Sequence, residues 1–249
     1  MISPLAYVDK EARIGANVTI HPFAYIDKNV EIGDNCTIMP YASILSGTRM
    51  GTDNIIYQGA IIGATPQDFK FKGEDTLLKI GNHNTIREKV ILNRGTNTTD
   101  CTIIGDGNFL LEGVHLAHDT HLGSHCVLGN GAKTAGNCII DDKAILGSEV
   151  IVKHGCRIGS WALLRDGCRA NKDVPPYIVA AHNPISYYGI NALILAKEGH
   201  LTENVIDNIA MLPANLSMRY QSGKCPAKNQ RYYSSQSGNH LPGRFYRTI

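Results

Sequence analysis

Four of the ten histidines in this chain fall within eleven residues: His115, His118, His121 and His125, in the run GVHLAHDTHLGSHC. Imidazole is the side chain that most readily takes and returns a proton near neutral pH. Such a ring can take the proton from a hydroxyl as its oxygen attacks an acyl carbonyl. Asp119 follows His118 directly and has the charge to orient or polarise the ring, although neighbours along a strand ordinarily point to opposite faces. If residues eighteen apart stack on one another, His118 sits beside the bare backbone of Gly136, with His154 one layer further on the same face. The Gly136 N–H can then stabilise a developing oxyanion at short range. A proton acceptor, an orienting carboxylate and an oxyanion donor are the parts of an acyl-transfer site. The alternative is a chance cluster of surface histidines.

The eighteen-residue spacing comes from the elements that must carry these groups. Every sixth residue from Ile2 to Ile62 is a large aliphatic, and the register resumes in phase at Ile80. Of the 28 positions spaced by six from residue 2 to residue 164, only Asp68, Glu74, Thr98 and Thr134 are not Ile, Leu, Val or Met. Neither a helix of 3.6 residues per turn nor an alternating strand has that period. A hexapeptide repeat is the mark of a parallel β-helix. Three hexads of short strand and turn make a triangular coil, and coils stack about 4.8 Å apart, so about ten of them form a prism roughly 45–50 Å long. Leu116 and Leu122 take the inward slots of the histidine run, which leaves the imidazoles facing outward.

The register breaks twice. Residues 63–79, GATPQDFKFKGEDTLLK, put Asp68 and Glu74 where aliphatics belong and predict a loop thrown out from the scaffold. Loops held by rigid frames commonly carry function. Around Thr98 the shorter run GTNTTD reads as a bulged turn.

A zinc site is the competing chemistry. Hexapeptide-repeat proteins that hold zinc through three histidines pair ligands five residues apart, but five residues beyond His118 is Gly123 and beyond His115 is Thr120. His118 and His154 stack too far apart to share an ion at about 2.0–2.1 Å. No metal ligands are assigned. Five of the seven cysteines, Cys36, Cys126, Cys138, Cys156 and Cys168, stand four residues after a repeat position, a slot filled elsewhere by Ala6, Ala24, Ala42 and Ala132. Cysteine there behaves as a small buried hydrophobe.

The formal net charge of +2 hides an asymmetry: residues 211–249 carry four Arg, two Lys and no acid, so the other 210 residues carry −4. A nucleic-acid partner would rest on that tail alone, and none is expected. No run of 18 apolar residues exists to span a membrane, and the repeat starting at Ile2 leaves no room for a signal peptide. A cytoplasmic protein is expected.

Together the motifs IYQGAIIG (56–63), QDFKFKGE (67–74), IGNHNTIRE (80–88), NRGT (93–96), HLAHD (115–119), DVPPYIVA (173–180) and YYGIN (187–191) carry a resemblance. The chain is similar, over about residues 1–210, to the UDP-N-acetylglucosamine O-acyltransferases that begin lipid A biosynthesis in Gram-negative bacteria. The resemblance implies a left-handed β-helix, a homotrimer with active sites in clefts between subunits, and a helical C-terminal segment. It implies transfer of a (3R)-hydroxyacyl chain from acyl carrier protein to the 3-hydroxyl of UDP-N-acetylglucosamine. No bound cofactor is implied; phosphopantetheine arrives with the donor. Residue by residue, it makes His118 the general base and Gly136 the oxyanion donor, and it places Asp68, Lys70, His115 and Asn191 at the sugar nucleotide.

The chain departs from that pattern in several places. Asn137 stands where a histidine is usual, His154 where glutamine is, and Lys153 where histidine is. Asp166 occupies a site where some members place a glycine that sets acyl length. Lys197 replaces an arginine for the phosphates, keeping charge but not bidentate geometry. The expected organisation is a β-helix acyltransferase domain over 1–180, with its external loop at 63–79. A helical segment over 181–210 follows, then an atypical, basic tail over 211–249 that is expected to be out of frame or otherwise replaced and largely disordered, because it holds three prolines and lacks acids and helical periodicity. Other hexapeptide acyl- or acetyltransferases, and an inactive trimeric scaffold, are the alternative functions.

Overall fold

The computed structural model describes residues 1–99 and 101–191. Three sheets of nine, eight and ten strands wrap around one axis as a left-handed parallel β-helix. Most strands are two residues long, the first residue facing out and the second buried, as in Val127–Leu128 and Ile145–Leu146. The left hand departs from the right-handed rule for crossovers between parallel strands, which has its cause in packing a connecting helix on the sheet. Here short corner turns make the connection, so that cause is missing.

The corners explain the polar residues between the aliphatic slots. Asn17, Asn29, Asn35, Asp119 and Asn137 all have φ between 54° and 59°, the left-handed region that asparagine and aspartate tolerate best among residues with a Cβ. The inward slots make one continuous core along the prism, with Ile20, Ile56, Leu92, Leu116, Leu128 and Leu164 fully buried. Cys126 and Cys138 fill small-residue slots, and burial pushes their thiols up to about 12. A second ladder is polar: Asn54, Asn84 and Asn108 are buried, with Asn54 Oδ1 accepting from the Asn84 amide and side chain and Asn84 Oδ1 accepting from the Asn108 amide.

The breaks in the repeat keep the phase because each adds a multiple of six. Ile44 pairs with Ile62, eighteen residues on, but Ile62 pairs with Leu92, thirty on. Leu92 then pairs with Leu116, twenty-four on. The longer excursion lies between the strands Ile61–Ala64 and Leu78–Ile80, slightly inside the expected 63–79. The shorter lies between Ile91–Asn93 and Thr102–Ile104.

A helical segment beginning at 181 is corrected by the structure. Ser186–Ile190 is a strand, paired antiparallel with Ile178–Ala181 and closing the ten-stranded sheet. Its two tyrosines and isoleucine suit an edge strand, and Ile185 and Ala181 are buried beside it. The rest of the expected helical segment, from residue 192 to 210, and the tail over 211–249 lie outside the described residues.

Candidate active site

His118 and Asp119 form the corner turn between the strands His115–Leu116 and His121–Leu122. The strand rule that would point them apart does not apply, because Asp119 has a φ of 57°. Its carboxylate turns back to the ring, and His118 Nδ1 stands 2.8 Å from Asp119 Oδ2. An ionised carboxylate only accepts hydrogen bonds, so Nδ1 carries the proton and Nε2 is the free acceptor. The pair is nearly enclosed, with side-chain exposures of 11% and 5%. Burial on its own would raise the Asp119 carboxyl, but bonds from His118 and Thr96 outweigh it and hold the group below its ordinary range.

Gly136 lies one coil on, stacked as the eighteen-residue spacing requires: the Asn137 amide donates to the His118 carbonyl at 3.0 Å. The imidazole lies over the glycine so closely that an added Cβ would stand 2.5 Å from Nε2. Among the described residues no acceptor takes the Gly136 N–H. That leaves a donor beside the proton acceptor, the combination that acyl transfer requires.

The long excursion reaches the same place. Asp68 Oδ2 stands 3.8 Å from His118 Nε2, so carboxylates flank both nitrogens of the ring. The Lys70 amide donates to Asp68 Oδ1 at 2.9 Å, while its side chain is exposed. The Asn93 side-chain amide donates to the Thr65 carbonyl at 2.7 Å and anchors the loop's first residue. Beneath the loop, the Arg94 guanidinium lies 5.7 Å from the Phe71 ring.

His115 points outward on the adjacent strand, its Nε2 2.7 Å from Asn93 Oδ1. Because the Asn93 amide nitrogen is committed to the loop carbonyl, that oxygen must accept and His115 Nε2 must donate. Burial, and then Lys133, hold the His115 imidazole below its usual range. It is therefore neutral near pH 7, with Nδ1 free to accept. Asn137 follows Gly136 at the corner, and His154 is exposed in the next coil, where the Gly155 amide donates to the Gly136 carbonyl at 3.2 Å.

Other anticipated residues do not join this cluster within one chain. Asn191 is buried at a different corner, its side chain donating to the Trp161 carbonyl at 3.0 Å and its amide to the Tyr177 carbonyl at 2.8 Å. Lys197 lies outside the described residues. His121 faces out on the next sheet between Ile103 and Ile139, and His125 turns the next corner over Gly107. Among the described residues no group of three His, Cys, Asp or Glu side chains is arranged to hold a metal ion.

Thr96 was missed by reasoning on spacing. It donates to Asp119 twice, from its amide to Oδ1 at 3.0 Å and from its hydroxyl to Oδ2 at 2.7 Å. The signal available was its place in NRGT, one of the motifs that carry the resemblance. The excursion around Thr98 is thus more than the bulged turn its composition suggested.

Comparison with known proteins identifies the family. A family profile described as bacterial transferase hexapeptide (six repeats) matches residues 11–40, 29–64 and 101–136. The acyl-[acyl-carrier-protein]–UDP-N-acetylglucosamine O-acyltransferase of Janthinobacterium sp. (strain Marseille) is 39% identical over 207 residues, 83% of this chain and 79% of that protein. The crystal structure of LpxA, a UDP-N-acetylglucosamine acyltransferase from Bacteroides fragilis 9343, superposes with a TM-score of 0.80 at 51% identity, covering 84% of this chain and 82% of that one. The UDP-N-acetylglucosamine O-acyltransferase (LpxA) of Moraxella catarrhalis RH4 gives 0.79 at 35% identity, covering 84% and 81%. The chain belongs to the UDP-N-acetylglucosamine O-acyltransferase family of hexapeptide-repeat enzymes.

Proposed function

We propose that this enzyme moves a (3R)-3-hydroxyacyl chain from acyl carrier protein to the 3-hydroxyl of UDP-N-acetylglucosamine, the first step of lipid A biosynthesis. The observation that carries the reading is the His118–Asp119 pair, with its free Nε2 lying over the Gly136 backbone. His118 Nε2 takes the proton from the sugar hydroxyl as the oxygen attacks the thioester carbonyl. The carbonyl oxygen becomes an oxyanion and receives the Gly136 N–H. Collapse expels the phosphopantetheine thiolate, and the imidazolium returns its proton to that sulfur. Asp119 and Asp68 both lower the cost of the transient imidazolium, one at each nitrogen.

In this reading Asp68, Lys70, His115, Asn137 and His154 contact the sugar nucleotide. The first three stand on the loop or coils around His118, and the last two on the coils after it. Asn191 and Lys197 would act on a neighbouring subunit's site in a homotrimer. Support for association comes from the outer face of the ten-stranded sheet, where Phe109, Val127, Ile145 and Leu163 form an outward apolar stripe, with Thr85 between it and Ile55. Asn191 sits at the edge of that sheet, not at the corner of His118. No helix among the described residues is long and apolar enough to cross a membrane, and a cytoplasmic location matches a carrier-protein donor.

The test is a transfer assay with UDP-N-acetylglucosamine and a ladder of (3R)-hydroxyacyl carrier proteins, wild type beside His118→Ala. Product that depends on His118 supports the reaction and reveals the preferred chain. Activity surviving within about tenfold would remove His118 as the general base, a role that contributes about 10²–10⁴-fold.

A further inference from the structure

The coil before the catalytic one carries six extra residues, and their placement is not needed by the scaffold. Leu92 and Leu116 still pair, so the insertion leaves the core in register. What it adds is a grip on Asp119. Thr96, near its start, gives the carboxylate two hydrogen bonds, one to each oxygen. Thr102, at its end, accepts the Asp119 amide on its hydroxyl at 2.9 Å. Asp119 Oδ2 therefore stands between the Thr96 hydroxyl at 2.7 Å and His118 Nδ1 at 2.8 Å.

The following coil departs from the repeat at the same point. Thr134 replaces an aliphatic in its inward slot, and its hydroxyl accepts the Ala117 amide at 3.2 Å. One coil further the equivalent amide, Ala135, donates to the Val152 carbonyl at 2.8 Å in the ordinary ladder. The turn that bears His118 is thus held from both sides by threonine hydroxyls. A carboxylate nearly out of solvent keeps one plane and one charge state only if its oxygens have donors. Thr96 supplies two of the three donors on this one.

We infer that Thr96 is a positioning residue that acts through Asp119, fixing the carboxylate so that its remaining contact holds the proton on His118 Nδ1. The inference rests on the proposed role of His118 as base. Thr96→Val removes the hydroxyl while keeping the branched shape, and Thr96→Ser keeps the hydroxyl. In the transfer assay Thr96→Val lowers kcat by about 10- to 100-fold, the usual range for a group that orients a site residue. KM for the sugar nucleotide stays within about twofold, since the contact is not with substrate. Thr96→Ser recovers most of kcat. In an Asp119→Ala background Thr96→Val has no further effect, because the group it acts through is gone.

Circular dichroism and thermal melting confirm that each variant is folded, and Thr96→Ala stands in if the valine does not fit. A folded Thr96→Val with wild-type kcat overturns the inference. So does a rise in KM at constant kcat, or losses from Thr96→Val and Asp119→Ala that multiply. His118→Ala in the same assay separates the two levels. If it loses activity while Thr96→Val does not, the base stands and the positioning role falls; if it stays active, both fall.

Discussion

Gly136→Ala tests the stacking of the site with a single methyl group. Gly136 is not among the residues with positive φ, so alanine fits its backbone. The obstacle is space: the new Cβ would lie 2.5 Å from His118 Nε2, against about 3.4 Å for ordinary contact. Cε1 is nearer still, so the ring must retreat by about 1 Å, and retreating along the line of contact alters its 2.8 Å bond to Asp119. A misplacement of about 1 Å costs on the order of 10²-fold in rate. Alanine keeps the backbone N–H, so the loss reports the displaced base and not a missing oxyanion donor. Overpacking of this kind costs about 1–3 kcal/mol of stability, and the continuous core should leave the variant folded. The assay is steady-state transfer to UDP-N-acetylglucosamine, paired with thermal melting and proton NMR of the Nδ1–H resonance. Expected are a kcat about 10²-fold lower, a modest fall in Tm and a shifted or lost resonance. A kcat within about threefold of wild type, with the resonance unmoved, would refute the placement of the working imidazole over Gly136.

Lys70→Ala should raise KM for the sugar nucleotide by about tenfold, the value of one charged hydrogen bond, with kcat little changed; an unchanged KM would mean that the loop's ammonium does not reach substrate. Acid should weaken the fold at two places. The Asp119 carboxyl and the His115 imidazole both sit below their ordinary values when folded, so the unfolded chain takes protons first and stability falls with pH. The His115 contribution is lost from about pH 6.5 downward and that of Asp119 from about pH 4 downward. His115→Gln should flatten the decline in Tm between pH 7 and 5, and an unaltered slope would sink that assignment. Asn84→Ala should cost about 1–3 kcal/mol in denaturant unfolding, since it leaves the buried Asn108 amide without its acceptor; a cost under about 0.5 kcal/mol would show that the ladder does not hold the coils.

What was legible in the sequence follows from where the eighteen-residue coil is intact. From Leu116 through Val152 each coil has the plain length, and stacking arithmetic places His118 over Gly136 without a structure. It fails for Asp68, because the coil bearing the loop is thirty residues long and no spacing says where a loop tip comes to rest. It fails for Thr96 because the next coil is twenty-four residues long. The orientation of Asp119 was hidden for a different reason. Alternation governs strands, and the residue lies in a turn whose left-handed φ sends its side chain back toward its neighbour. The strand Ser186–Ile190 was lost to an expectation of helix carried by resemblance, although its tyrosines and isoleucine favour a strand. Asn191 shows the remaining limit: resemblance assigned it to the sugar nucleotide, but within one chain it is bonded to the Trp161 carbonyl at another corner.

These failures share a cause with the site itself. A plain coil of eighteen residues is spent on short strands and corners, so backbone that reaches back over a neighbouring corner comes here from the insertions. An insertion leaves the core intact only if the chain rejoins the sheet with the same side facing in, because a slip of one residue would turn every aliphatic outward. The two excursions, of twelve and six residues, satisfy that condition in consecutive coils. The first brings Asp68 to one nitrogen of His118 and the second brings Thr96 to the carboxylate at the other. The histidine stays on a regular coil, where stacking on Leu92 and Thr134 fixes the backbone beside it. The base and its carboxylate thus stand on the part a periodic sequence encodes openly, while the contacts that Asp68 and Thr96 add to them come from residues that interrupt the period.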